Sequence, residues 1–256
     1  MDPASALVGK FLADMALSKA FDKFLSAALK AAHDRRAQAF VQSFVEVVAG
    51  DGPADVAAVS AKLEELSKNE ICREALFMAY RRLALSASKD TGPRLIALLT
   101  ARLIRDQRPP TELEERLLIA AEALSDGDFN GLVEFLEATA VTRSKSGEGR
   151  GEVQERAGWI WRRLHTETDD SSWPRGEVDL SAVNFADELG TWALKLRNAG
   201  LVMDRVVLRR VPYSEDSERG VDEPGMERRW SWWVVFRVEL LDFADLIKTA
   251  RRSTPP

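Results

Sequence analysis

The chain has 256 residues and a formal net charge of −5, and apolar residues make up 45% of it. That length and that apolar share predict one large or two ordinary globular domains with a buried core. Residues 1–147 carry a net charge of −2 and residues 148–256 of −3. Neither half therefore has the basic surplus that is typical of a non-specific nucleic-acid binder.

Targeting and redox features favour a cytoplasmic protein. No charge-free apolar stretch reaches the roughly 18–20 residues that are needed to cross a bilayer, so no transmembrane segment is expected. Residues 1–14 lack the basic run that precedes the apolar part of a secretory signal. Cys72 is the single cysteine, which excludes an internal disulfide and fits a reducing compartment.

Residues 1–142 are predicted to form an all-α domain, a bundle of six or seven helices with short connections. Apolar residues recur at helical spacing in the segments 17–48, 54–67, 70–86 and 93–103. The stripe of the third segment consists of Cys72, Leu76, Ala79 and Leu83. Thr111 and Glu114 have capping-box spacing before another helix, and a last helix is predicted at about 129–139. Because none of these helices is stable alone, their apolar stripes are expected to pack together.

Residues 143–151 are predicted to be a flexible linker, because three glycines and two serines lie there among charged residues. All seven tryptophans follow it, which predicts a separate tryptophan-rich α+β domain at 152–256. The elements predicted in this domain are helices at 153–164, 185–196 and 242–252, an antiparallel strand pair at 201–211 and 229–240, and an acidic loop at 212–225. The expected fold class is therefore mainly α, with a small α+β domain at the C-terminal side.

The segment Asp126–Glu137 resembles the EF-hand calcium loop. Carboxylate and amide oxygens occupy its first, third and fifth positions, a glycine its sixth and a glutamate its twelfth. The resemblance implies a Ca²⁺ site, with the Leu132 carbonyl and a water held by Glu134 completing the shell. Its ligands would be Asp126, Asp128, Asn130, Leu132, Glu134 and Glu137. No other cofactor is expected.

An alternative interpretation of this segment is a helix start. Ser125, Asp126 and Asp128 are residue types that accept the unpaired N–H groups of a first turn, and acidic residues there favour the helix dipole. In that case residues 129–137 are helical and cannot surround an ion. The two interpretations use the same residues, so the sequence leaves both open.

The end of the predicted helix at Gly200, followed by two strands and a long loop, is similar to a winged-helix module. In that family the helix reads the DNA major groove. Here the helix would present Asp187 and Glu188, and the loop is acidic, so both would repel phosphate. The resemblance therefore favours a winged-helix-like domain used for protein contact, with a DNA-binding transcriptional regulator as the alternative.

The strand around Trp230–Phe236 is apolar on both faces, since residues 230, 232, 234 and 236 alternate with 233 and 235. Both faces should therefore be covered, and large aromatic side chains are typical of interfaces. The predicted interaction surface consists of Trp230, Trp232, Trp233, Arg209, Arg210, Arg228 and Arg229. Arginines beside tryptophans, as at 161–163, could stack on nucleobases, but packing of the arginine stems is favoured.

No cluster of residues with catalytic spacing is present. The two histidines, His33 and His165, lie in different predicted domains, and no nucleophile elbow or phosphate-binding glycine loop occurs. The sequence therefore favours a non-enzymatic binding or regulatory protein that acts through a protein partner or self-association. A calcium-responsive protein is the first alternative and a DNA-binding regulator the second.

Overall fold

A computed structural model describes residues 35–49, 69–145, 152–169, 184–212 and 226–252. Several predicted features lie outside the described residues: the part of the first helical segment before Arg35, the helix at 54–67, residues 146–151 of the linker and the loop at 213–225. No helix in the described ranges is long and apolar enough to cross a membrane.

The chain divides into two compact units. Among the described residues, the first unit contains those up to Val133 together with those from Phe243 onward, and the second contains Glu134–Asp242. These bounds differ from those of the predicted domains, 1–142 and 152–256, and that domain division stays a prediction.

The first unit is built from helices α1 (Arg35–Ala49), α2 (Glu70–Leu85), α3 (Thr91–Asp106) and α4 (Glu112–Ala123), and from the first part of α5 (Asp126–Lys145). Helix α3 is buried on almost every side and packs against α1, α2 and α4. A helix that is apolar all round must lie inside its fold. Helix α3 is therefore the centre of this unit.

The predicted stripe of α2 and the predicted capping box of α4 are confirmed. Helix α2 buries the four residues of its predicted stripe, and its first turn begins with the Asn69 side chain accepting a hydrogen bond from the Ile71 N–H (2.9 Å). Helix α4 begins with the predicted capping box, in which Thr111 and Glu114 each accept from the other's backbone N–H. Helix α5 begins three residues before its predicted start.

The second unit contains a four-stranded antiparallel sheet with the strand order β1-β2-β4-β3. Its strands are β1 (Val153–Arg156), β2 (Trp159–Asp169), β3 (Val202–Pro212) and β4 (Met226–Arg237). The predicted strand pair is β3 and β4, and their antiparallel pairing is confirmed. Strand β4 also pairs with β2, so it is an inner strand of the sheet.

The predicted helix at 153–164 is wrong, because this segment forms the β1–β2 hairpin. Ala157 and Gly158 connect the two strands, and both have positive φ angles of 50° and 78°. Two such residues are typical of the tight turn that matches the twist of paired strands. The helix-forming composition of the segment is overridden by its strand pairing.

The predicted helix at 185–196 is two helices, α6 (Phe185–Leu189) and α7 (Thr191–Asn198). Gly190 separates them with a φ of 98°, which L-residues rarely adopt. The last helix, α8 (Leu240–Arg252), begins two residues before its predicted start. The described residues are thus mainly helical, with eight helices and one small sheet; the helix count of the bundle and the winged-helix resemblance stay predictions.

Candidate interaction face of the sheet

Strand β4 buries side chains on both faces of the sheet, as its alternation predicts. Val234 and Phe236 lie on one face and are fully buried, while Trp233 and Val235 lie on the other, where Trp233 is 6% exposed. The residues that surround β4 determine what each face can bind.

Helices of the same unit cover the first face, which we call the packed face. Phe135 of α5 contacts the rings of Trp192 and Phe236, with centroid distances of 5.1 and 5.9 Å. Phe185 of α6 contacts Trp232 at 6.1 Å in an edge-to-face arrangement. Aromatic pairs of this kind each contribute roughly 0.5–1.5 kcal/mol beyond their burial. The packed face is therefore the hydrophobic core of this unit.

Arg162 connects the sheet to α5 on the packed face. Its guanidinium lies 4.5 Å from the Phe135 ring centroid and donates to the Phe135 carbonyl (2.9 Å) and to the Thr139 Oγ1 (2.8 Å). Burial lowers the pKa of the Arg162 guanidinium, and the Glu152 charge acts in the opposite direction. Its role in the structure is to hold α5 against the sheet.

The opposite face carries an alternation of tryptophans and arginines, which we call the Trp–Arg face. It consists of Trp159, Trp161, Arg163, Arg205, Trp233 and Arg237. The strand register places these residues in adjacent rows: Trp159 pairs with Arg237, and Trp233 pairs with Arg163 on one side and Arg205 on the other. Three strands that are far apart in the sequence therefore contribute to one surface.

Each tryptophan of this face has a guanidinium over its ring. The Cζ atom lies 5.9 Å from the ring centroid for Arg163 over Trp233. The corresponding distance is 5.7 Å for Arg205 over Trp161. It is 5.1 Å for Arg237 over Trp159. Cation–π contacts within about 6 Å orient the guanidinium and leave its N–H edge pointing away from the ring.

The Trp–Arg face is also basic. The strand positions of its rows include a further arginine, Arg156, and no acidic residue. Arg237 forms an ion pair with Glu239 (3.1 Å). Arg163 and Arg205 form no ion pair with any residue that the structure describes, and Arg205 is exposed. The surface thus offers oriented cationic donors beside the half-buried rings of Trp159 and Trp161 and the buried ring of Trp233. Such donors suit a planar anion such as a carboxylate.

The predicted interaction residues are divided between the two faces. Trp230 and Trp232 are buried on the packed face, and Trp233 lies on the Trp–Arg face. In the backbone register Arg209 pairs with Arg229 and Arg210 pairs with Arg228; the side chains of these four arginines lie outside the description. The residues not included in the prediction are Trp159, Trp161, Arg163, Arg205 and Arg237. The sequence signal for Trp159, Trp161 and Arg163 was their two-residue spacing, which is typical of a strand. That spacing lies within the segment that was predicted to be helical.

The calcium-loop residues lie in the first turns of α5. The Asp126 carboxylate accepts hydrogen bonds from the Ser88 hydroxyl (2.6 Å) and from the backbone N–H groups of Lys89 (3.0 Å) and Thr91 (3.1 Å). Burial acts to raise the pKa of the Asp126 carboxyl, but these hydrogen bonds hold it below its ordinary value. The Asp128 carboxylate accepts from both the N–H and the hydroxyl of Ser125. Both carboxylates therefore serve the helix start.

Residues 126 and 137 are about 16 Å apart along the axis of a continuous helix. The predicted ligands, which also include Asn130, the Leu132 carbonyl and Glu134, therefore do not converge in this conformation. Calcium binding stays a prediction, and it would require the first turns of α5 to unwind. Within the described ranges, no three His, Cys, Asp or Glu side chains are grouped in a way that could hold a metal ion.

Comparison of the chain with protein-family models, with curated proteins and with solved structures gave no match. A function can therefore be inferred only from the chemistry of the side chains that the fold brings together.

Proposed function

We propose that this protein is a non-enzymatic binding protein whose Trp–Arg face contacts an acidic segment of a partner protein. One observation carries the proposal: three Trp–Arg pairs lie side by side on one sheet face, in rows whose strand positions hold no acidic residue. Arginine and tryptophan are also the residue types that dominate binding energy at protein interfaces.

The guanidinium groups are suited to carboxylates. Stacking on an indole ring restricts the arginine side chain in advance, so less conformational entropy is lost when a carboxylate binds its two parallel N–H groups. Arg163 and Arg205 lie on either side of Trp233 in one cross-strand row. A partner with acidic residues spaced along an extended segment could bind both arginines.

A nucleic acid is the less favoured partner. A nucleobase would have to displace a guanidinium before it could stack on Trp161 or Trp233, because each ring already has an arginine over it. A DNA-binding, winged-helix-like role remains the alternative that the experiment must distinguish.

The test compares the binding of two fluorescent probes of equal length, an oligoglutamate peptide and a single-stranded oligothymidine. The Arg163→Glu/Arg205→Glu variant should bind the peptide about tenfold more weakly or worse, because repulsion replaces two attractive contacts. The matched control is Arg102→Glu, which reverses an exposed charge on α3 and should leave peptide affinity unchanged. Circular dichroism should show that both variants keep the wild-type fold.

Two results would overturn the proposal. Tighter binding of the oligothymidine than of the peptide, with loss in the Arg163→Glu/Arg205→Glu variant, would assign the face to nucleic acid. Equal peptide affinity of the wild type and that variant would show that the Trp–Arg face is not the binding surface.

A further inference from the structure

A cavity of about 460 Å³ lies in the first unit, bounded by α2, α3 and α4 and by residues 108–110. Its volume is within the range of roughly 300–1,000 Å³ that is usual for small-molecule sites. Most of its wall is apolar, and the apolar lining includes Ile71, Ala75, Met78, Ala79, Leu103 and Leu118. The predicted stripe of α2 contributes Ala79, while Ala75 and Met78 come from the flank of the same helix.

Arg82 is the polar group that distinguishes this cavity from a packing defect. It lines the cavity, is only 9% exposed, and directs its two terminal nitrogens to carboxylates: one donates to Glu122 (3.1 Å) and the other pairs with Glu115. Its Nε–H has no hydrogen-bond partner among the described residues. A buried donor without an acceptor is unfavourable, so native structures rarely leave one unpaired.

The charges around Arg82 disfavour an ionic occupant at that end of the cavity. Arg82 is already neutralised by two glutamates, so an anion would meet the Glu115 carboxylate beside it. Arg108, also in the lining, is held by Glu114 through two short hydrogen bonds of 2.6 and 2.7 Å. A cation would have to approach the buried Arg82 guanidinium. An uncharged molecule avoids both the repulsion of an anion by Glu115 and the repulsion of a cation by Arg82.

We propose that this cavity binds an uncharged, mainly apolar small molecule whose single hydrogen-bond acceptor takes the Nε–H of Arg82. The apolar body of the ligand occupies the space lined by α2, α3 and Leu118. Its acceptor, such as a ketone or ester carbonyl, completes the hydrogen bonding of the guanidinium. The cavity shares no lining residue with the Trp–Arg face, so this proposal does not depend on the function proposed for that face.

The test uses three eight-carbon probes with the full chain: 2-octanone, octanoate and octylammonium. Isothermal titration should show binding of 2-octanone, with octanoate and octylammonium at least about tenfold weaker because each brings a charge into the cavity. The Ala75→Trp variant places an indole in the cavity and should weaken 2-octanone binding by about tenfold or more. The matched control on the same helix, Ala84→Trp, adds the same side chain at an exposed site outside the lining and should leave the affinity unchanged.

A second variant keeps the test decisive if Ala75→Trp fails to fold. Met78→Trp fills the same cavity from a partly exposed position and should give the same loss of binding. The proposal is overturned if octanoate binds as tightly as 2-octanone, if 2-octanone does not bind the wild type, or if a folded cavity-filling variant retains wild-type affinity.

Discussion

The first turn of α4 should make the stability of the first unit dependent on acid pH through Glu114. Its carboxylate accepts hydrogen bonds from both terminal nitrogens of Arg108, from the Thr111 N–H (2.8 Å) and from the Thr111 hydroxyl (2.9 Å). The Arg108 side chain, more than any other group, lowers the pKa of Glu114 from 4.5 to about 2, against the opposing effect of burial. The Glu114 side chain is 20% exposed and that of Arg108 is 38% exposed.

The direction in which stability changes with pH follows from the lowered pKa of Glu114. An unfolded chain takes up a proton at Glu114 near pH 4.5, whereas the folded chain resists it down to about pH 2. The carboxylate therefore stabilises the fold fully above pH 4.5, and this contribution is lost as the pH falls to 2. The full shift corresponds to about 3 kcal/mol, and solvent screening of the partly exposed Arg108 reduces this to roughly 1–2 kcal/mol.

The assay is urea unfolding followed by circular dichroism, for the wild type and Glu114→Gln, between neutral pH and pH 2. Glu114→Gln should lower the free energy of unfolding by roughly 1–2 kcal/mol at neutral pH, and the difference should shrink towards zero at the acid end. Glu112→Gln is the control, because its side chain is 82% exposed and its ion pair with Arg116 lies at the surface. A Glu114→Gln difference that does not depend on pH would refute the assigned electrostatic role.

The remaining predictions concern packing. Arg162→Met should lower the free energy of unfolding by roughly 1–3 kcal/mol, because it removes the two part-buried hydrogen bonds that Arg162 donates to the Thr139 hydroxyl and the Phe135 carbonyl. Arg156→Met, at an exposed site, should have little effect. Gly92→Ala should destabilise the fold by about 1–3 kcal/mol or more, since its Cβ would lie 2.5 Å from a backbone carbonyl of α4. Gly127→Ala has open space in the first turn of α5 and should instead be neutral or stabilise by up to ~1 kcal/mol. Thermal melting of the four variants checks each sign.

Local signals allowed the helices to be predicted from the sequence. The stripe of α2 and the capping box of α4 depend on residues three or four positions apart, which the helical repeat brings together whatever the rest of the chain does. The β1–β2 hairpin was missed because its turn is formed by Ala157 and Gly158, and an alanine with positive φ has no sequence signature. Residues 153–164 also contain several good helix formers.

The Trp–Arg face could not be predicted, because it depends on strand register. The alternation of side chains along a strand assigns Trp161 and Arg163 to the same face of β2. It does not show that Arg205 of β3 lies in the same cross-strand row as Arg163 and Trp233, because that depends on how the strands pair. The Arg162–Arg163 doublet illustrates the consequence. On a helix both side chains would be near neighbours at the surface, whereas on β2 one is buried over Phe135 and the other lies on the opposite face.

The segment that begins at Asp126 fits both the calcium-loop pattern and the helix-start pattern with the same residues. A single substitution can distinguish these two interpretations. Asp126 accepts three hydrogen bonds from the Ser88, Lys89 and Thr91 region, so it joins the start of α5 to the start of α3 without any metal. Asp126→Asn should therefore lower the melting temperature in the presence of a chelator, because it weakens the charge-assisted hydrogen bonds. The expected loss in the free energy of unfolding is roughly 1–3 kcal/mol. Asn130 belongs to the same pattern but is exposed, so Asn130→Ala should have little effect under those conditions. If instead both variants matched the wild type in chelator and lost a stabilisation that only added calcium confers, residues 126–137 would act as an ion-binding loop, and the helical form of α5 would be the metal-free state.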